Sequence, residues 1–222
     1  MKSNSAIVKE VTISGKGVDL PGFLAIPAEA SCIVIFAHGS GSSRFSRRNQ
    51  FVARLLNKAG AATLLFDLLT PDESMERANV FDIELLSGRL VMATNWIMKN
   101  VETAGLPIGY FGASTGAAAA LRASTSGKTE VGAVVSRGGR PDLAWEILEK
   151  VDSPTMLIVG SSDYGVVELN ESAYNKLKCR KRMELVPEAT HLFEEPGTLE
   201  KVADLARDWF LENLVAKKTV LH

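Results

Sequence analysis

The sequence from residue 108 to residue 120 reads IGYFGASTGAAAA, and this stretch decides the fold. Its apolar start is typical of a buried strand, and its alanine-rich end favours a helix. Between them Gly112 and Gly116 flank Ser114 in a G-x-S-x-G pattern. After a strand and before a helix, this pattern predicts a tight turn that exposes the serine hydroxyl, because only glycine lets neighbouring backbone pass so closely. A plain tight turn is the alternative.

Apolar runs and amphipathic stretches alternate along the chain, which is typical of a mostly parallel sheet covered by helices. We predict eight strands. The first two, residues 7–14 and 20–27, form an antiparallel pair at the sheet edge. The other six are buried: residues 32–37, 61–66, 108–111, 131–136, 155–159 and 182–186. Helices are predicted at residues 48–58, 83–100, 115–124, 143–150, 168–177 and 199–214. The polar segment 69–80 is expected to be an irregular loop of a kind that often covers a site.

Length and composition favour one domain spanning residues 1–222. With 25 basic and 26 acidic residues, the chain offers no broad positive field, so we expect no nucleic-acid or membrane partner. The first eleven residues lack the apolar core of a signal peptide, which favours the cytoplasm. Cys32 and Cys179 lack metal-ligand spacing, so neither a metal nor a cofactor is expected. An oligomer is compatible with the sequence.

A serine nucleophile needs a base, and the chain has three histidines. His222 is the last residue, His38 precedes a glycine-rich loop, and His191 follows the last predicted strand. In a fold with this strand–turn–helix, the triad follows the order serine, acid, histidine, with its members on loops at strand ends. His191 therefore fits the base. A half-buried loop histidine is the alternative.

The acid that orients the histidine should lie between Ser114 and His191 in the chain. Asp163 does so and follows the predicted strand 155–159, which makes it the first choice. Asp142 is the second choice, although its place at a helix start gives it a structural alternative. Asp67 precedes the serine, which counts against it.

Two backbone amides are expected to form the oxyanion hole. One belongs to Thr115, directly after the serine, and the other to the loop after residues 32–37, where Ser40 is the strongest candidate. His38 is expected to shape that loop, with direct contact to substrate left open.

The same loop has a rival interpretation as a dinucleotide-binding turn, because Gly39-x-Gly41 follows a buried strand and Asp67 ends the next one. The fit is partial, since Arg44 occupies the third glycine position.

Arginines cluster at two predicted strand ends. Arg44, with Arg47 and Arg48, follows the glycine-rich loop, whereas Arg137 and Arg140 follow residues 131–136. His38, Arg44, Arg137 and Arg140 are therefore candidate substrate-binding residues, with a preference of Arg137 and Arg140 for anionic groups. The alternative is that these arginines pair with nearby acids.

Four motifs together resemble the α/β-hydrolase superfamily: residues 38–41, 112–116, 160–163 and 190–193. The compact length and the sequence HLFEEPG at residues 191–197 are similar to its dienelactone hydrolase-like branch. The resemblance implies an α/β-hydrolase fold and cleavage of an ester-like bond. Dienelactone hydrolases proper use a cysteine nucleophile, whereas this chain has Ser114, so the dienelactone substrate does not carry over.

The sequence thus predicts an α/β-hydrolase fold with helices on both faces of the sheet and no cap domain. The predicted activity is hydrolysis of a small carboxylic ester or lactone by Ser114, His191 and Asp163. The alternative from another class is a non-catalytic member of the fold that binds a ligand or partner.

Overall fold

The computed structural model describes residues 6–127 and 129–215, so His222 lies outside the described residues. The strands are β1 (Ile7–Gly15), β2 (Val18–Ile26), β3 (Cys32–Ala37), β4 (Ala61–Phe66), β5 (Ile108–Ala113), β6 (Val131–Arg137), β7 (Thr155–Gly160) and β8 (Lys181–Val186). The helices are α1 (Arg47–Lys58), α2 (Pro71–Met75), α3 (Arg77–Phe81), α4 (Ile83–Lys99), α5 (Thr115–Ser126), α6 (Tyr164–Lys176) and α7 (Thr198–Phe210). A 3-10 helix spans Pro141–Lys150, and a π-helical turn spans Leu211–Val215.

The strands form one sheet in the order β1-β2-β4-β3-β5-β6-β7-β8. Strand β2 is antiparallel to both β1 and β4, and the pairs from β4 onward are parallel. Lys16 and Gly17 join β1 to β2 with φ values of 50° and 78°, as in the two-residue turns that match strand twist. The predicted eight-stranded, mostly parallel sheet with its antiparallel N-terminal pair is confirmed.

Apolar side chains fill the space on both faces of the sheet. Helices α4 and α5 pack with Leu64 and Tyr110 on one face, and α1 and α7 pack with Phe36 and Phe111 on the other. These side chains are 0–1% exposed. Burying one such side chain contributes about 1.5–3 kcal/mol, so the continuous apolar runs of the strands supply core on both faces.

Two predictions about single elements are wrong. Strand β8 is mostly half-exposed because it lies at the outer edge of the sheet, where Arg182 and Glu184 form an ion pair. The segment 69–80 contains α2 and α3 rather than an irregular loop. Helix α2 begins with a capping box, in which the Thr70 side chain accepts from the Glu73 amide and the Glu73 carboxylate accepts from the Thr70 amide.

Residues 138–154 contain the 3-10 helix alone between β6 and β7, so a cap domain does not follow β6. Among the described residues, every helix is too short or too polar to cross a lipid bilayer.

Candidate active site

Ser114 lies in the turn between β5 and α5, with φ 51° and ψ −121°. This backbone conformation is costly for a residue with a side chain, and such strain clusters at functional sites. A Cβ at Gly116 would lie 2.2 Å from the carbonyl oxygen of Ala37, and one at Gly112 would lie 2.4 Å from Cα of Ala117. Both glycines are therefore required by close backbone approach, as expected for a turn that presents a serine.

The structure brings His191 and Asp163 into contact. Asp163 lies three residues after β7, and its Oδ2 is 2.7 Å from Nδ1 of His191. The carboxylate side chain is 16% exposed and the imidazole 36%. Because a carboxylate only accepts, Nδ1 of His191 carries the proton of this hydrogen bond, which leaves Nε2 of the neutral imidazole free to accept one.

Several hydrogen bonds join the loop of Asp163 to the loop of His191. The amide of Ser162 donates to the carbonyl of Ala189 at 3.0 Å, and the amide of Glu188 donates to Oγ of Ser161 at 2.9 Å. A Cβ at Gly160 would lie 2.3 Å from the Ala189 carbonyl oxygen. The two loops thus form one packed unit, which holds the acid and the imidazole in fixed relation.

Ser114 and His191 line the same cavity of about 200 Å³. Among the described residues, no hydrogen bond joins Oγ of Ser114 to the imidazole. Catalytic hydrogen bonds are often long before substrate binds, so this geometry is compatible with a nucleophile and its base.

The two other candidate acids are occupied elsewhere. Asp142 accepts two hydrogen bonds from the Arg140 guanidinium at 2.8 and 2.7 Å, and these bonds raise the pKa of Arg140. Asp67 accepts from both the backbone amide and the guanidinium of Arg44. Neither carboxylate is a hydrogen-bond partner of His191. The pairing of Asp67 also removes the free acid that a dinucleotide-binding turn needs for a ribose hydroxyl.

The predicted oxyanion residues lie beside Ser114. Thr115 is the first residue of α5, where backbone amides have no partner within the helix. Ser40 lies in a tight turn closed by a 3.2 Å hydrogen bond from the Ser42 amide to the Gly39 carbonyl, and Gly41 has a φ of 67° in that turn. Ser40 borders the cavity that contains Ser114.

His38 has a structural position. Its Nε2 accepts from the Leu68 amide at 3.1 Å, and its Nδ1 is 3.0 Å from the Gly39 carbonyl oxygen. Burial lowers the pKa of His38, which favours the neutral ring that these two contacts require. The imidazole thus connects the turn of Ser40 to the chain just after β4.

Comparison with solved structures decides the family. A dienelactone hydrolase from Anabaena variabilis is 51% identical to the chain, with a TM-score of 0.91, and the match covers 95% of this chain and 99% of that one. The chain belongs to the dienelactone hydrolase-like branch of the α/β-hydrolase superfamily.

More distant solved structures share the α/β-hydrolase fold. An esterase from Pyrococcus furiosus is 21% identical with a TM-score of 0.78, covering 94% of each chain. The esterase domain of a Rhodothermus marinus protein is 18% identical with a TM-score of 0.76, covering 94% of this chain and 99% of that one. At these identities the likeness shows the fold alone. No protein-family model matches the chain.

The chain is also similar to part of a longer curated protein. A Mycobacterium tuberculosis protein named "Putative phosphoribosyl transferase" is 56% identical over 206 residues, which are 93% of this chain and 46% of that protein. The chain therefore spans about half the length of the curated relatives it matches.

The turn that contains Ser40 also borders a second cavity, of about 400 Å³. Leu68, Leu69 and Val80 give it an apolar lining, and Thr115 borders it. The residues Gly39, Ser40 and Ser42 border both cavities. The turn that contains Ser40 therefore forms part of the wall of both cavities.

The candidate substrate-binding arginines separate into two groups. Arg137 borders the cavity of Ser114, whereas Arg44 and Arg140 are held by Asp67 and Asp142. The Arg140 guanidinium is paired at the start of the 3-10 helix, which fits the alternative that these arginines pair with nearby acids.

The sequence places Arg48 in the basic cluster after the glycine-rich loop, but Arg48 is not among the substrate-binding residues predicted from it. It lies in the first turn of α1 and borders the cavity with Ser114. The available signal was its position just after the predicted oxyanion loop, since a helix that starts there must direct its first turn toward the carboxyl ends of the strands.

Proposed function

We propose that this protein hydrolyses small carboxylic esters or lactones with Ser114 as nucleophile. The observation that carries the proposal is the strained turn at Ser114, which faces the same cavity as an imidazole hydrogen-bonded to a carboxylate. A strained serine, a base and an acid that orients the base are the parts that acyl transfer needs.

In the proposed mechanism, Oγ of Ser114 attacks the acyl carbon while Nε2 of His191 takes the hydroxyl proton. Asp163 stabilises the imidazolium through Nδ1–H. The amides of Thr115 and Ser40 donate to the developing oxyanion, and each such donor contributes about 2.7–4 kcal/mol in enzymes of this kind. His191 then gives the proton to the leaving alcohol. Water, activated by the same imidazole, cleaves the acyl-enzyme.

A fluorophosphonate probe tests the nucleophile directly. We expect the wild-type protein to be labelled and Ser114→Ala to remain unlabelled, with Ser172→Ala, an exposed serine of α6, as a matched control that keeps its label. A series of 4-nitrophenyl esters of increasing chain length then measures turnover. Absence of both labelling and turnover would favour a non-catalytic binding protein.

Phosphoribosyl transfer is a second candidate, favoured by the name of the Mycobacterium tuberculosis relative. That relative is more than twice as long as the matched region, so its name describes more than this segment. Incubation with phosphoribosyl pyrophosphate and an acceptor base distinguishes the two activities, because transfer would release pyrophosphate. We expect this chain to release none.

A further inference from the structure

The cavity beside Ser114 contains a buried positive charge without a counter-charge. Arg137 is 6% exposed, and its Nε is buried without a hydrogen-bond partner. Among the described residues its guanidinium has no ion pair, and its cation lies 5.7 Å from the centre of the Phe193 ring. Unpaired buried charges are costly and rare, so the arrangement requires an explanation.

A second guanidinium increases this positive charge. Arg48 borders the same cavity, and its Nε is also buried without a partner. Its Nη1 reaches Glu194 at 3.2 Å, but the Glu194 side chain is 67% exposed and lies at the surface. Burial, and then the charge of Arg48, lower the pKa of Arg137 to about 10. The two positive charges thus repel each other, and none of the described residues that line the cavity is acidic.

The start of helix α1 adds to the positive field. Ser46 caps this helix by accepting from the Asn49 amide and borders the cavity. The first turn of α1 contains Arg47 and Arg48 and no acidic residue. The N-terminus of a helix is the positive end of its dipole, so it repels basic side chains. An anion there is favoured by both the dipole and the free amides.

We propose that this cavity binds an oxyanion group of the substrate, a carboxylate or a phosphate, between Arg137 and Arg48. The proposal deepens the proposed function: the preferred ester has an anionic group in the cavity of Arg137 and a small apolar group in the cavity of Leu69 and Val80. The anion supplies the counter-charge that the protein lacks. A paired guanidinium–oxyanion contact is strong and directional, so it also fixes the ester against Ser114.

Matched esters test this specificity. We would compare the 4-nitrophenyl esters of valeric acid, succinic acid and 3-phosphonopropanoic acid, which differ in the charge at the end of the acyl chain. We expect wild-type kcat/KM to be at least about tenfold higher for one of the anionic esters than for the valerate. The succinate and phosphonate arms show which oxyanion is preferred.

Variants identify the arginine responsible. Arg137→Gln and Arg137→Met should lower the anionic-to-neutral ratio of kcat/KM by about tenfold to a hundredfold, and Arg48→Gln by about tenfold. Arg140→Gln is the matched control and should leave the ratio unchanged, because Arg140 is paired with Asp142. An unchanged ratio in both Arg137 variants, or a wild type that prefers the valerate, would overturn the proposal.

A binding measurement separates this proposal from the proposed hydrolase activity. Inorganic phosphate should raise the melting temperature of Ser114→Ala, and the added Arg137→Gln change should abolish that shift. Phosphate binding that depends on Arg137 in a protein that cleaves none of the esters would overturn the hydrolase function and keep the anion site. Absence of any phosphate effect would count against the site even if esters are cleaved.

Discussion

At the scale of single residues, Ser114 and His191 should act as one unit. Replacing either with alanine should lower ester turnover by about 10³-fold or more while the protein stays folded, because neither group can function without the other. The double variant should be little worse than either single variant. Steady-state kinetics with circular dichroism as a folding control measures this. Near wild-type turnover in Ser114→Ala would show that another group is the nucleophile.

The acid has its own residue-scale prediction. Asp163→Asn should lower turnover by about 10⁴-fold, because an amide at that position favours the wrong histidine tautomer. Asp142→Asn is the matched control: it weakens the pairing with Arg140 and leaves the 2.7 Å contact to His191 intact. The opposite ranking of the two variants would show that the acid is assigned wrongly.

At the scale of elements, helix α2 depends on Glu73, which closes the capping box and also binds Arg89 of α4 at 2.5 Å. The Arg89 side chain is 8% exposed, so Glu73→Ala leaves a largely buried charge unpaired. We expect a loss of about 2 kcal/mol of stability and faster hydrogen exchange in residues 70–81. Because Leu69 and Val80 line the apolar cavity, KM for neutral esters should rise.

Glu76→Ala is the control for this element, since Glu76 is exposed and its side chain makes no cap hydrogen bond. Equal exchange rates in the two variants would remove Glu73 as the residue that fixes α2. The sequence contained the signal for this helix, a threonine followed three residues later by glutamate with proline between them. The polar composition of the segment predicts a loop instead, and composition is a weaker guide than cap chemistry.

At the scale of the whole molecule, His38 couples folding to pH. Its pKa is lowered in the folded protein, so below the unfolded value of about 6.5 the unfolded chain binds a proton that the folded chain does not. Stability should therefore fall as pH drops through this value. In His38→Gln that part of the pH dependence should be absent. Urea unfolding between pH 5 and pH 8 measures it, and equal slopes in the two proteins would contradict the assignment.

The sheet was predictable from sequence because a parallel strand buried on both faces must be a continuous apolar run, as in β3 and β4. The exposure of β8 was harder to predict, because its charged residues indicate an edge strand only when the order of the strands in the sheet is known. The side-chain partners at the site depend on three-dimensional distance. Asp163 and Asp142 both follow strands, and Arg137 and Arg140 are three residues apart. Only the three-dimensional structure shows that Asp163 contacts His191, whereas Asp142 and Arg140 pair with each other.

The backbone of Ser114 has a consequence for laboratory evolution. A residue held at such a positive φ costs roughly 1–3 kcal/mol, and glycine would adopt the same turn with less strain. Selection for heat resistance alone would therefore favour a glycine in place of Ser114, the proposed nucleophile. A library screened for thermostability should be tested for turnover in every round, since variants that carry this glycine are expected to be inactive.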